Sequence, residues 1–178
     1  MAKENNSRSE FTILYDQYVD KIYRFIYYKT HHKETAEDLT SVAFVKALNS
    51  FSSFDQNKGG FSAWIYKIAR NTVIDFYRSK KTLINIDDVW DLSDNQDIER
   101  EVHASLKLAE VKKYLKNLSS EQRDVVILRV WEGLSYKEIA AVLGKSENGC
   151  KMMFFRTIKK LKEEMPLVLF LCFLLKSF

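Results

Sequence analysis

The chain has 178 residues, enough for one large or two small domains, and its one proline and five glycines favour helix. The net charge of +4 is unevenly spread, because residues 10–81 and 106–165 are basic and the segment between them is acidic, as expected of two modules that meet a polyanion. Cys150 and Cys172 lack metal-ligand spacing, which argues against a metal site and favours a reducing compartment. The N-terminal residues MAKENNSRSE lack an apolar signal region, which argues against secretion.

The first module is predicted to follow a short tail, residues 1–9, and to extend over residues 10–81. Residues 10–29 carry an apolar stripe at helical spacing, formed by Phe11, Leu14, Tyr15, Tyr18, Ile22, Phe25 and Ile26. A turn at His31 and His32 is expected to be solvated rather than to bind a metal. A second helix then places these apolar residues inside: Ala36, Leu39, Ala43, Phe44, Ala47 and Leu48.

A polar loop at residues 51–60 is followed by a third predicted helix, Phe61 to Ser79. The loop and helix interleave aromatic rings with cations and amides, a composition typical of single-stranded nucleic-acid binding. Phe61, Trp64 and Phe76 are predicted to be core residues, whereas the loop residues Phe54 and Asn57 are predicted to be free to contact nucleic acid. Residues 82–101 form an acidic linker, whose acids are Asp87, Asp88, Asp91, Asp94, Asp97, Glu99 and Glu101.

The second module, residues 102–165, contains the pattern of a helix-turn-helix. Ser119 with Gln122, and Ser135 with Glu138, have capping-box spacing and predict two helix starts. Gly144 suits the left-handed turn of a tight corner, and Ser146 offers an N-cap for the next helix.

The helix after Ser146 is predicted to be apolar inside and basic outside. Its inner residues are Cys150, Met153, Phe154, Thr157, Ile158 and Leu161, and its outer residues are Asn148, Lys151, Met152, Phe155, Arg156 and Lys159. A helix of this kind that follows another helix after a single tight turn is suited to the major groove of DNA. The alternative is an ordinary helical hairpin with a solvated lysine face.

The C-terminal tail, residues 166–178, contains the apolar run Leu167 to Leu175, which is too short to span a bilayer, where about twenty residues are needed. Three interpretations remain open: packing on the second module, a surface for another protein, or a shallow membrane contact. Packing or a protein partner is favoured over a membrane, because no basic amphipathic face accompanies the run.

Three runs of the sequence, in this order, resemble the extracytoplasmic-function (ECF) group of bacterial sigma factors. They are AEDLTSVAFVKAL, GFSAWIYKIARNTVIDFYRSK and LSSEQRDVVILRVWEGLSYKEIAAVLGKSENGCK. The resemblance implies an all-α protein with two small helical domains joined by an acidic linker, the second containing the helix-turn-helix. It also implies an initiation subunit that binds core RNA polymerase, recognises the minus-thirty-five and minus-ten elements and opens promoter DNA.

The resemblance assigns three sets of site residues. The core-polymerase-binding residues are Asp38, Leu39, Ser41 and Val42. The minus-ten residues are Phe54, Asn57, Lys67, Arg70 and Asn71. The minus-thirty-five residues are Ser146, Asn148, Lys151, Met152, Phe155 and Arg156. Ser41-Val42 stands where the family typically has Gln-Glu, which removes one carboxylate and one amide from the docking surface. Met152 and Met153 stand where family members often have small polar or basic residues, which predicts an unusual promoter preference.

Two other functions remain open from the residues: a helix-turn-helix regulator that binds duplex DNA without polymerase, and a decayed sigma-like protein that only binds polymerase. An enzyme is disfavoured, because the chain has no phosphate loop, metal box or nucleophile elbow. We expect no cofactor, metal, small-molecule substrate or transmembrane segment. The resemblance implies a cytoplasmic protein with an anti-sigma partner that could hold it near the membrane.

Overall fold

The computed structural model describes residues 2–55, 60–80, 110–111 and 113–175. These residues form helices and turns, with no strand among them, and they divide into two compact units, one within residues 1–89 and one within residues 90–178. The predicted all-α class with two domains is therefore confirmed. The acidic linker, residues 82–101, lies outside the described residues.

The first domain contains α1 (Ala2–Thr30), α2 (Lys33–Ser50), a 3₁₀ turn (Phe51–Ser53) and α3 (Phe61–Lys80). Helix α1 begins at Ala2, so residues 2–9 continue a helix where a separate tail was expected. These residues contain no proline or glycine, and the sequence therefore offers no residue that would stop the helix before the apolar stripe.

A sharp turn separates α1 from α2 at the predicted position. His31 has a φ of 52°, in the left-handed region that ends helices. The exposed His32 then caps α2, because its Nδ1 accepts the backbone N–H of Thr35 at 3.2 Å. The two histidines thus form the corner between the helices.

The core of the first domain is built on small residues of α2. Ala36, Ala43 and Ala47 are fully buried, which allows the flanking helices to approach closely and to bury large side chains such as Phe25. Leu48 was predicted to lie inside but is 49% exposed. Each residue turns the helix by about 100°, so the residue after the buried Ala47 points away from the core.

The second domain contains helical residues 113–116, α4 (Ser120–Val126), α5 (Tyr136–Leu143), α6 (Glu147–Glu164) and α7 (Leu167–Leu175). Helix α4 starts at the predicted capping box, in which the Ser119 hydroxyl accepts the Gln122 N–H at 3.3 Å.

Helix α4 continues as a π-helical turn, Ile127–Trp131, that the sequence pattern did not predict. The N–H of Glu132 donates to the carbonyl of Ile127 at 3.1 Å, five residues back, as in a π-helix. Leu128 and Trp131 within this turn are buried in the core of the domain.

Helix α7 packs on the second domain through one face. Leu169, Phe170 and Phe173 are buried, and the indole N–H of Trp131 donates to the carbonyl of Phe173 at 3.3 Å. The Trp131 and Phe173 ring centroids are 5.6 Å apart. Packing of the apolar tail, one of the three interpretations left open, is therefore observed for this face.

The opposite face of α7 is exposed, and its residues are Leu167, Val168, Leu171, Leu174 and Leu175. No helix in the described part of the chain is both long enough and apolar enough to cross a membrane.

The packing of α7 predicts different effects for substitutions on its two faces. Phe173→Ala should lower the free energy of unfolding by about 3 kcal/mol, because it removes a fully buried ring beside Trp131. Leu175→Ala, at a position 72% exposed, is the control and should change it by less than about 0.5 kcal/mol. Urea denaturation followed by tryptophan fluorescence, with Trp64 and Trp90 replaced by Phe in every variant so that Trp131 is the reporter, measures both. Equal effects of the two substitutions would contradict the observed orientation of α7.

Candidate nucleic-acid interface

The corner between α5 and α6 has the geometry predicted for a helix-turn-helix. Ser135 and Glu138 form a reciprocal capping box: the hydroxyl accepts the Glu138 N–H at 3.3 Å and the carboxylate accepts the Ser135 N–H at 2.8 Å. Gly144 then takes the left-handed conformation, with φ 66° and ψ 36°. The amides of Gly144 and Lys145 both donate to the carbonyl of Ala140 and close α5.

Helix α6 starts at the predicted cap, where the Ser146 hydroxyl accepts the N–H of Gly149 at 3.1 Å. A Cβ atom at Gly149 would lie 2.9 Å from the Ser146 oxygen, closer than side-chain carbons normally approach. Gly149 is therefore part of the cap, and the sequence indicated this only through the three-residue spacing from Ser146.

Half of the predicted inner face of α6 is fully buried, and the other three residues, Met153, Phe154 and Ile158, are half-buried. Cys150, Thr157 and Leu161 are at most 1% exposed, and the Thr157 hydroxyl donates to the carbonyl of Met153 at 2.8 Å. Burial raises the pKa of the Cys150 thiol, so this cysteine packs as an apolar residue and is poorly reactive.

The outer face of α6 carries the residues assigned to the minus-thirty-five element. All six are exposed: Ser146, Asn148, Lys151, Met152, Phe155 and Arg156. The predicted orientation of the helix is confirmed, and contact of these residues with DNA stays a prediction. Met152 and Phe155 are 45% and 52% exposed, although both are large and apolar.

A chain of ring contacts supports this outer face from behind. The Arg129 guanidinium donates to the carbonyl of Leu134 at 2.8 Å and lies 4.8 Å from the centre of the Tyr136 ring. The Tyr136 ring packs on Phe154 at 5.8 Å between centroids, and Phe154 packs on Phe155 at 5.9 Å. Sequence reasoning missed Arg129 and Tyr136, which hold α5 and α6 to the π-helical turn.

Two basic residues at or near α6 contact other residues of the second domain. Lys145 forms an ion pair with Glu121 at 3.0 Å, and Lys160 donates to the carbonyl of Asn117 at 3.2 Å. The basic outer face of α6 is thus defined by Lys151, with Arg156 and Lys159 on the following turns.

The candidate minus-ten residues of α3 lie along one side of that helix. Lys67 and Asn71 are exposed, and Arg70 is half-buried. An exposed ion pair between Lys46 and Asp75, at 3.3 Å, links α2 to α3. Lys67 and Asn71 thus face outward on α3, and Arg70 lies partly exposed on the same side. Contact of these residues with DNA stays a prediction.

The predicted loop residue Phe54 is less free than expected. Its ring stacks on Phe51, with centroids 6.0 Å apart and planes inclined by 18°, and lies 4.9 Å from Trp64 and 5.7 Å from Phe61. These rings offer apolar surface that half-buries Phe54. Asn57 lies outside the described residues.

The outer face of α2 carries three of the four residues assigned to polymerase docking. Asp38, Ser41 and Val42 are exposed. Leu39 is 6% exposed and belongs to the core, as the apolar pattern of α2 predicted, because it lies three residues after the buried Ala36 on the same side of the helix. Its assignment to the exposed docking surface is therefore corrected.

Sequence reasoning missed two exposed apolar residues of α2, Val45 and Leu48, which are 57% and 49% exposed. Continuing from Val42 in steps of three residues would have found both. Val42, Val45 and Leu48 together form the apolar outer face of α2.

Comparisons with known proteins agree with this arrangement. Residues 14–82 match the family described as sigma-70 region 2, and residues 108–161 match sigma-70 region 4. The chain is 37% identical over 160 residues to the ECF RNA polymerase sigma factor BldN of Streptomyces coelicolor, a match that covers 88% of this chain and 60% of BldN.

Two further relatives match over most of their length. RNA polymerase sigma factor YlaC of Bacillus subtilis is 33% identical over 162 residues, 89% of this chain and 93% of YlaC. The sigma factor RpoE of Bartonella quintana, solved in complex with the anti-sigma factor NepR, has a TM-score of 0.70 and 25% identity, with 86% of this chain and 95% of that one covered.

Two helical domains, one containing a helix-turn-helix with a basic outer face, are typical of a DNA-binding protein of the transcription machinery. The matches to both sigma-70 regions narrow this class. The chain belongs to the RNA polymerase sigma factors of the ECF group. It is a promoter-specific initiation factor that binds RNA polymerase.

A side chain added at Gly144 would test the left-handed backbone conformation alone, because its Cβ would meet no atom within 4 Å and would cause no steric clash. Gly144→Ala should lower the free energy of unfolding by about 1 kcal/mol, because an alanine resists positive φ. Gly144→Asn should lower it less, because asparagine tolerates this conformation. Urea denaturation measures both variants, and an alanine variant as stable as the unsubstituted protein would contradict the conformation.

Proposed function

We propose that this sigma factor divides its contacts among the outer faces of three helices. The outer face of α2 docks on core RNA polymerase, α3 and the preceding loop bind the minus-ten element, and α6 binds the minus-thirty-five element. The proposed functional boundaries are residues 10–81 and 102–165, joined by the acidic linker 82–101. The observation that carries the proposal is that the exposed sides of α2, α3 and α6 bear different chemistry while their other sides are buried.

Polymerase docking is assigned to the outer face of α2, beside Asp38 and Ser41. Three large apolar side chains exposed on one helix face are expensive to keep in water. An apolar strip with a polar rim is typical of a protein interface. Leu39 supports this face from inside the core and does not form part of it.

Recognition of the minus-ten element is assigned to Lys67, Arg70 and Asn71 on α3, with Phe54 and Asn57 from the loop. The two cations provide attraction for the DNA backbone, and the amide can pair with a base edge. Phe54 and Trp64 are half-buried and pack on the buried Phe51 and Phe61. Their partly exposed rings lie next to this face, and an unstacked base of the non-template strand would stack on them.

Recognition of the minus-thirty-five element is assigned to the six exposed residues of α6. Lys151 and Arg156 attract the phosphate backbone, and Arg156 is also able to donate two hydrogen bonds to a guanine. The Ser146 side-chain oxygen accepts the hydrogen bond of the helix cap, and its hydroxyl proton remains able to donate to a phosphate.

The remaining assignments concern partners and place of action. The chain acts by binding and strand separation, with no covalent step of its own, and works in the cytoplasm. RpoE of Bartonella quintana was solved with an anti-sigma factor, and we extend such a partner to this chain by similarity. A regulator that binds duplex DNA without polymerase is disfavoured by the match to sigma-70 region 2.

Run-off transcription with core polymerase and genomic promoter fragments tests the proposal. Asn71→Ala or Arg156→Ala should lower promoter-specific transcripts roughly tenfold, the effect of one lost base contact, and should leave polymerase binding unchanged. Gln17→Ala and Lys113→Ala, which remove an exposed amide and an exposed cation elsewhere, are the controls. Absence of defined start sites above the core-only background would refute an initiation function.

The docking face of α2 is tested by Val45→Asp, which places a charge in the centre of the exposed apolar strip. We expect core polymerase to bind roughly tenfold more weakly, because the charge would be desolvated in the interface. Ile13→Asp on α1 is the matched control, since Ile13 is a similarly exposed apolar residue, 66% against 57%. Fluorescence anisotropy with labelled core polymerase measures binding, and equal losses in the two variants would argue against a specific docking face.

A further inference from the structure

The outer face of α6 contains an apolar strip made of Met152 and Phe155. The two residues are three apart on the helix, so their side chains are neighbours, and about half of each is exposed. The other large apolar residues found exposed in the described part of the second domain all belong to α7. The strip on α6 is therefore a separate feature.

The surroundings of this strip indicate what covers it. Lys151 and Arg156 are exposed next to the two apolar residues, and Lys159 follows one turn after Phe155. A partner protein with an apolar surface would have to desolvate these charges, whereas a polyanion would pair with them. The strip therefore fits a nucleic-acid duplex better than a protein.

The major groove presents hydrogen-bonding groups at every base pair but only one apolar group, the 5-methyl of thymine. Resting on the proposed binding of α6 to the minus-thirty-five element, we infer that Met152 is a specificity-determining residue that contacts a thymine methyl, with Phe155 extending the apolar contact. The upstream element of this factor thus contains an A·T pair selected through its methyl group.

The packing of α6 supports Met152 in this role over its neighbour Met153. Met153 is half-buried, whereas Met152 lies on the open side. Phe155 is held in place by Phe154, whose ring packs on Tyr136. A fixed aromatic ring beside a flexible methionine gives a surface that can fit a methyl group closely.

The experiment compares duplexes that differ only by methyl groups. A promoter is first identified by run-off transcription with the holoenzyme, and each thymine of its upstream element is then replaced by deoxyuridine, one at a time. At one or more positions, holoenzyme containing the unsubstituted factor should bind the uracil duplex about fourfold more weakly, as expected for one lost buried methyl group. Holoenzyme containing Met152→Ala should bind the thymine and uracil duplexes equally.

Lys151→Ala is the control, since Lys151 is assigned to the phosphate backbone and a lost phosphate contact weakens binding without regard to sequence. This variant should bind both duplexes more weakly and keep the thymine preference. Equal binding of thymine and uracil duplexes by the unsubstituted factor, or a preference that survives Met152→Ala, would overturn the inference alone. Loss of polymerase binding in Met152→Ala would identify a protein contact and would also overturn it. Failure to initiate at any promoter would overturn the proposed function and, with it, this inference.

Discussion

In both domains, the burial of one helix face decides which side chains are free to bind. Helix α2 buries Ala36, Ala43 and Ala47 completely, and this places Val42 and Val45 outside. A shift of one residue would rotate such a helix by about 100° about its axis. The packed side would then be exposed and charged side chains would be buried. Because the interior is close-packed, neither change is tolerated, and the outer faces keep fixed orientations.

The ends of the helices in the second domain depend on short-range chemistry instead. Ser135 and Ser146 each accept a backbone N–H that would otherwise lack a partner at a helix start. Gly144 reverses the chain between them, and Gly149 leaves room for the Ser146 oxygen. These local interactions determine where α6 begins, and the buried side of α6 then determines which way its basic side faces.

The difference between helix ends, which depend on nearby residues, and helix faces, which depend on tertiary packing, explains how much could be predicted from the sequence. Caps and turns depend on residues three or four apart, so the starts of α4, α5 and α6 were predicted from the sequence and are confirmed. The π-helical turn at Ile127–Trp131 was not predicted, because no local residue pattern requires a bond five residues back. The half-burial of Phe54 depends on a neighbour brought in by the fold, Trp64, whose ring lies 4.9 Å away. The burial of Leu39 was predicted from helix periodicity, and only its assignment to the docking face, taken from the resemblance, is corrected. The residues assigned to DNA and polymerase came from family resemblance, and the structure adds their exposure.

Exposed apolar residues occur on four helices of the described part of the chain, α1, α2, α6 and α7. The charges beside those of α2 and α6 differ. On α2 the charged neighbours are Asp38 and Lys46, and Lys46 is paired with Asp75 at 3.3 Å. This face therefore carries no excess of positive charge to attract DNA, which suits a protein surface. On α6 the neighbours are Lys151 and Arg156, which attract phosphate along the whole duplex without regard to sequence. Charge alone would therefore hold α6 on any DNA. Selection among promoters requires contacts with groups that differ between base pairs. On this face the proposed contact of Met152 with a thymine methyl would add to the hydrogen bonds that Arg156 is able to donate.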